Sequence, residues 1–184
     1  RDRIIKAAHD AIRGTKRPKE ELFKRALTRE SRPEALASKN EVRLAKMLGD
    51  RGIKTIPQKA IGSYNCDLAA FPVVVEVFGG HWHWTGKHLA RTEERINYIL
   101  NQGWSVLMVA DTNSFPITNE VADYIASYIE KARTDPAFAC EYRVIWGAAE
   151  YTTSGGLNDD NFSIEPPFTN ARDAANGQYI TVPK

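Results

Sequence analysis

Apolar positions along the chain follow the helical period first, then the strand period, then switch between the two. Ile4, Ile5, Ala8 and Ile12 recur at helical spacing until Gly14. Leu22, Phe23, Ala26 and Leu27 form a second short stripe behind Pro18, a residue suited to a first helical turn. A new unit starts at "SRPEALASKNE". There Ser38 and Glu41 make a capping box, and Val42, Leu44, Ala45 and Leu48 carry a helix to its stop at Gly52. Extended runs follow over 54–60, 65–69 and 73–78, the last two joined by a tight turn at Phe71 and Pro72. A helix over 87–102 ends at Gly103, and "WSVLMVAD" reads as a buried strand. Val121, Tyr124, Ile125, Tyr128 and Ile129 mark another amphipathic helix, and "YRVIW" a further strand. The order helix, three strands, helix, strand, helix, strand predicts an α/β fold with a mixed central sheet flanked by helices. Residues 147–184, rich in Gly, Asn, Asp and Pro, show no clear periodicity and are expected to wrap the body as an extended tail. The chain thus divides into a helical arm over 1–37, a body over 38–146 and a tail over 147–184.

Charge changes the picture of the arm. The net charge is only +2 over 184 residues, yet residues 1–39 hold twelve Lys and Arg against six Asp and Glu, a net +6 that leaves −4 for the rest. Two short helices with thin apolar stripes need something to lie on. Lys16, Arg17, Lys19, Lys24 and Arg25 make DNA phosphate a candidate, the alternative being a solvated charged helix pair. With 42% hydrophobic and 26% charged residues, the composition is that of a globular chain. No apolar run approaches the ~20 residues of a membrane span and no signal peptide is visible, so a cytoplasmic protein is expected. The sequence begins at Arg1 rather than Met, as expected of a fragment or processed chain. Cys66 and Cys140 lack the spacing of a disulfide framework or zinc knuckle and read as buried small hydrophobes.

Candidate chemistry gathers around "VVVEVFGGHWHW", residues 73–84. Asp67 lies in one strand of the expected hairpin and Glu76 in the next. A charge inside a sheet is costly unless paired or metal-bound, so two carboxylates converging at one sheet edge form a candidate site for a hard cation, Mg²⁺ or Mn²⁺. The alternative is that Glu76 faces solvent on a one-sided sheet. Glu41 joins the acids if its helix packs across this edge. Gly79 and Gly80 let the backbone pass close to a ligand, and His81 and His83 titrate near neutrality. A rival zinc site on His81, His83 and His88 lacks a cysteine or carboxylate at fitting spacing. Lys87 and Arg91, at i and i+4, can clamp a phosphate or form an exposed salt-bridged face.

An acid on the capped helix, an Asp opening a hairpin, "VVVEVFGGHWHW" and then "R...I..ILNQGWSVLMV" resemble the Vsr-like, or EDxHD, branch of the PD-(D/E)xK nucleases. That branch contains very-short-patch repair endonucleases and homing endonucleases, and the resemblance covers residues 38–112. It implies a restriction-endonuclease-like core in which Glu41 is the helix acid and Asp67 the metal-binding Asp. By the same resemblance Val77 offers its backbone carbonyl to the metal, His83 activates water, and His81 aligns with an aromatic residue that contacts DNA. Glu76 matches the acid of the wider PD-(D/E)xK pattern. Phe78 stands where that pattern has its lysine, so the work of the base passes to histidine. The branch's last acid aligns near Thr92, beside Glu93 and Glu94. Trp82 and Trp84 are core residues or, as the resemblance implies, wedges against unstacked bases. The repair enzymes' Cys and His zinc ligands are not reproduced. The cadence "I..A..G....(S/P).E...K.A" of the arm resembles the nuclease-associated modular DNA-binding repeats.

The function expected from these features is a metal-dependent DNA endonuclease acting on double-stranded DNA. Mg²⁺ or Mn²⁺ is its metal, with no small-molecule cofactor and no membrane partner. A homing endonuclease of a phage or mobile element, working in a bacterial or phage-infected bacterial cell, is the form expected. The alternatives are a very-short-patch-type mismatch repair nicking endonuclease and a non-cleaving DNA-binding module on the same fold.

Overall fold

A computed structural model of the chain describes residues 17–35, 37–79, 86–113, 115–147, 152–164, 168–172 and 179–183. The first helix expected in the arm, with Lys16, and the segment carrying His81, Trp82, His83 and Trp84 lie outside the described residues. The described elements are α1 (Lys19–Glu30), α2 (Lys39–Gly49), β1 (Ile56–Ile61), β2 (Tyr64–Ala70) and β3 (Val73–Phe78), then α3 (Gly86–Asn101) and β4 (Ser105–Ala110). They continue with α4 (Asn119–Thr134), β5 (Tyr142–Ile145), β6 (Thr152–Gly155), β7 (Phe168–Arg172) and β8 (Tyr179–Pro183). The capping box expected at Ser38 and Glu41 starts α2, and Pro18 sits at the N-cap of α1, one residue before the first turn.

Strands β1 to β6 form one sheet in chain order, and β7 pairs with β8 apart from it. The strands β1, β2 and β3 are antiparallel neighbours, β3, β4 and β5 run parallel, and β6 returns antiparallel. The parallel pairs are linked by α3 and α4, the helical crossovers that such pairs require. Leu44 and Leu48 of α2 and Val121, Ile125 and Ile129 of α4 belong to one core, with Val73, Val75, Leu107 and Val109 from the sheet. Ile96, Ile99 and Leu100 of α3 belong to the other, with Val74, Phe78, Val106 and Met108. Because both faces are covered, every residue of β4 is buried, and β3 is apolar at consecutive rather than alternate positions. This is the α/β architecture expected from the sequence, a mixed central sheet flanked by helices.

Helix α1 is laid against the β1 edge of the sheet. Ala26 is buried, and its carbonyl accepts a hydrogen bond from Asn65 Nδ2 at 2.9 Å. Glu30 accepts from the Ala60 N–H and from Lys59 Nζ, both at 2.8 Å, so a side chain occupies a donor of the sheet edge. The stripe partners Phe23 and Leu27 are instead 44% and 46% exposed. Two readings are corrected. Residues 152–155, within the segment read as an extended tail, form β6 and extend the main sheet. Cys140 is exposed, and only Cys66 is the buried hydrophobe expected. Among the described residues no helix is long and apolar enough to cross a membrane.

Candidate functional site

The β2–β3 ladder runs from Ala70 and Val73 to Leu68 and Val75, so the next positions in register are Asp67 and Glu76. Here the strands carry carboxylates in place of apolar side chains. The N–H of Val77 donates to Asp67 Oδ2 at 2.9 Å, replacing a ladder bond with a side-chain one. In a strand the N–H and C=O of one residue project to the same side. The Val77 carbonyl therefore faces Asp67, whereas the Phe78 carbonyl faces β4 and accepts from the Asp111 N–H at 2.8 Å. Glu41 reaches the same place from the first turn of α2, so the hairpin and the helix bring three acids to one cleft of about 220 Å³. Val77, Phe78, Thr92, Arg95 and Ile96 also line it.

Each acid is held differently. Glu41 accepts from the Ser38 N–H at 3.1 Å through one oxygen and from Gln58 Nε2 at 3.0 Å through the other. Gln58 is buried in β1, between the pairs Pro57–Leu68 and Lys59–Cys66, which puts it across from Asp67. Its φ of 51° is in the left-handed region, uncommon for a residue with a side chain, and its carbonyl accepts from Asn65 Nδ2 at 2.9 Å. Glu76 is 8% exposed and paired with Arg95, which overturns the reading that it faces solvent. Burial raises its carboxyl above the ordinary range while the Arg95 guanidinium opposes the rise. Burial, then the charges of Glu76 and Glu41, push Asp67 up to about 8, against the pull of the Val77 N–H and Arg95. The buried Cys66 thiol beside Glu76 is pushed up in the same way.

A crowd of buried acids, one whose ionisation is disfavoured by burial and then by the charges of its neighbours, is relieved by a divalent cation. Asp67 and the Val77 carbonyl are oxygen donors of the kind that Mg²⁺ and Mn²⁺ take, and Glu76 stands next to them. Among the described residues no three His, Cys, Asp or Glu side chains form a ready metal cage. The rival zinc reading retains only His88 within the described residues, exposed at the start of α3.

The basic candidates lie on the surface. Lys87 and Arg91 are exposed on α3, and Thr92, Arg95 and Ile96 turn toward the cleft from the same helix. Arg17, Lys19, Lys24 and Arg25 are exposed at and along α1, with Arg17 paired to Glu21 at 3.4 Å.

Arg95, Gln58 and the pair of Arg43 with Asp111 were not legible in the sequence. Asp111 follows β4; its carboxylate accepts from Arg43 Nη2 at 3.0 and 3.1 Å and from the Ile117 N–H at 3.1 Å. A Cβ on Gly79 would lie 2.9 Å from the Asp111 carbonyl, so this glycine serves a close approach between two strands. The signals available were slight: an acid ending the apolar run "VLMVA", and an arginine one residue before the apolar Ile96.

No family model and no curated protein sequence matches the chain. Among solved structures, the catalytic domain of the homing endonuclease I-Bth0305I is similar, with a TM-score of 0.39 and 18% sequence identity. The similarity covers 52% of this chain and 94% of that one.

Proposed function

We propose that the protein is a metal-dependent endonuclease that hydrolyses phosphodiester bonds of double-stranded DNA, of the homing type carried by phages and mobile elements. The observation that supports this reading most is the meeting of Glu41, Asp67, Glu76 and the Val77 backbone in one cleft, beside the end of β3, whose chain continues to His81 and His83. When bound there, Mg²⁺ or Mn²⁺ would supply positive charge to the scissile phosphate and to the leaving oxygen. Asp67 and the Val77 carbonyl would hold the ion, with Glu76 and Glu41 adding negative charge around it. His83, in its neutral form, takes a proton from the attacking water. His81 and Trp82 contact the DNA, and Lys87 and Arg91 clamp a phosphate at the cleft. Lys16, Arg17, Lys19, Lys24 and Arg25 contact the backbone of the duplex and supply most of the affinity.

The test uses supercoiled plasmid and oligonucleotide duplexes, matched and mismatched, with Mg²⁺. Cleavage of matched duplex is expected, and Asp67→Asn should abolish it while leaving DNA binding within a few fold. Cleavage confined to mismatches would favour the repair reading, and tight binding without cleavage the non-cleaving module. Full activity of Asp67→Asn would remove Asp67 from the site.

A further inference from the structure

The three carboxylates of the cleft differ in how firmly they are already engaged. Glu41 has one oxygen on the Ser38 N–H, which caps α2, and the other on Gln58, which ties α2 to β1. Glu76 faces a guanidinium that is itself pinned. Arg95 donates to the Asn65 carbonyl as well as to Glu76, sits 5.9 Å from the centre of the Tyr64 ring, and rides on α3 next to the buried Ile96. An arginine held by a carbonyl, a carboxylate and a ring has little freedom to swing clear when a cation arrives. Asp67 is engaged, among the described residues, by the Val77 N–H on one oxygen.

Charge leads to the same point. Three carboxylates and one guanidinium leave the cleft at −2, which one divalent ion balances, whereas a second ion would leave a surplus of +2 in a buried place. The pair is also a poor device for stability alone. Buried ion pairs recover their desolvation only with excellent geometry, and here the Arg95 Nε–H is buried without a partner among the described residues.

We propose that Arg95 is a positioning residue that withholds Glu76 from metal coordination, so that the cleft takes one divalent cation, on Asp67 and the Val77 carbonyl, instead of two. The proposal rests on the endonuclease reading for the presence of the cation, and it assigns Glu76 an electrostatic role in place of a ligand's.

Titration of Mn²⁺ into the metal-free full chain, followed by the electron paramagnetic resonance of free Mn²⁺ and without DNA, tests it apart from cleavage. The wild-type chain should bind one Mn²⁺. Arg95→Gln frees Glu76 and should bind Mn²⁺ about tenfold more tightly or take a second ion, and Glu76→Gln, which leaves a bare cation beside the site, should bind about tenfold more weakly. The double variant E76Q/R95Q should return to one ion within about threefold of the wild-type affinity. Arg95→Lys keeps the charge and should keep one ion, which serves if Arg95→Gln fails to fold. A double variant as weak as Asp67→Asn would make Glu76 a ligand and overturn the proposal. Two ions on the wild-type chain would overturn the role of Arg95 alone, and none on the folded wild-type chain would overturn the endonuclease reading with it.

Discussion

At the scale of single residues, Asp67 gives the metal-free protein a pH dependence. Its carboxyl ordinarily ionises at 3.8 and in the fold is pushed up to about 8. Between those values the folded chain keeps a proton that the unfolded chain has released. Stability therefore falls as pH rises, by up to about 1.4 kcal/mol per pH unit. The contribution is complete below 3.8 and lost above about 8. Chelator-treated protein should melt lower at the alkaline end of that window than at the acid end, and Asp67→Asn should reduce the slope. Since Mg²⁺ binds the ionised form, it should raise the melting temperature most where the pH is high. A slope that survives Asp67→Asn intact would place the titration in another group. The histidines make a second residue-scale prediction. His83→Ala should slow single-turnover cleavage by about 10²–10⁴-fold and remove the acidic limb of the pH-rate profile, whereas His81→Ala should act mainly on DNA affinity. The opposite pattern would exchange their roles.

At the scale of elements, the position of the basic helix α1 depends on Glu30. Its carboxylate satisfies an edge N–H of β1 and pairs with Lys59, and it is pulled below the usual carboxylate value by those contacts despite its burial. Glu30→Ala should cost about 1–2 kcal/mol in urea unfolding and weaken DNA binding, by loosening a helix whose basic residues are unchanged. Glu30→Gln keeps an acceptor for the Ala60 N–H and should cost less. Equal losses for both would show that the ion pair, not the edge bond, anchors the helix. Replacing Lys24 or Arg25 should leave stability alone and reduce the slope of log affinity against log salt by about 0.9 for each phosphate no longer neutralised. Elements were legible in the sequence wherever periodicity and punctuation coincide, as at Ser38, Glu41 and Gly52 around α2. They were not legible where the chain is short and polar: "TTSG" has no apolar face, and pairing with β5 alone makes it a strand. Glu76 could be picked out because a charge in an apolar run stands out, Glu41 because it closes a capping box, and Asp67 because it lies in the hairpin strand before it. Arg95 could not, because its pairing with Glu76 depends on how α3 is rotated over the sheet, which the spacing of either residue does not record.

At the scale of the whole molecule, the cleft lies where the sheet changes character. On one side β3, β4 and β5 are parallel and buried on both faces; on the other, β1, β2 and β3 form a meander whose ladder stops at Leu68 and Val75. The basic helix α1 covers the outer edge of that meander, and the bottom of the cleft is acidic. The pattern of apolar runs foretold this mixed sheet, but it could not say that Gln58 would sit in left-handed backbone across from Asp67. No local signal for a left-handed turn marks that position, and tertiary contacts hold it there. Where the ladder ends, the Val77 amide hydrogen is secured by a carboxylate instead of a neighbouring strand. Such a proton should exchange with deuterated solvent through a local opening, well before those of β4, which need global unfolding. A cation shared by Asp67 and the Val77 carbonyl would close that opening. Slowing of Val77 exchange on adding Mg²⁺, with β4 unchanged, would then read out occupancy of the site in the absence of any DNA.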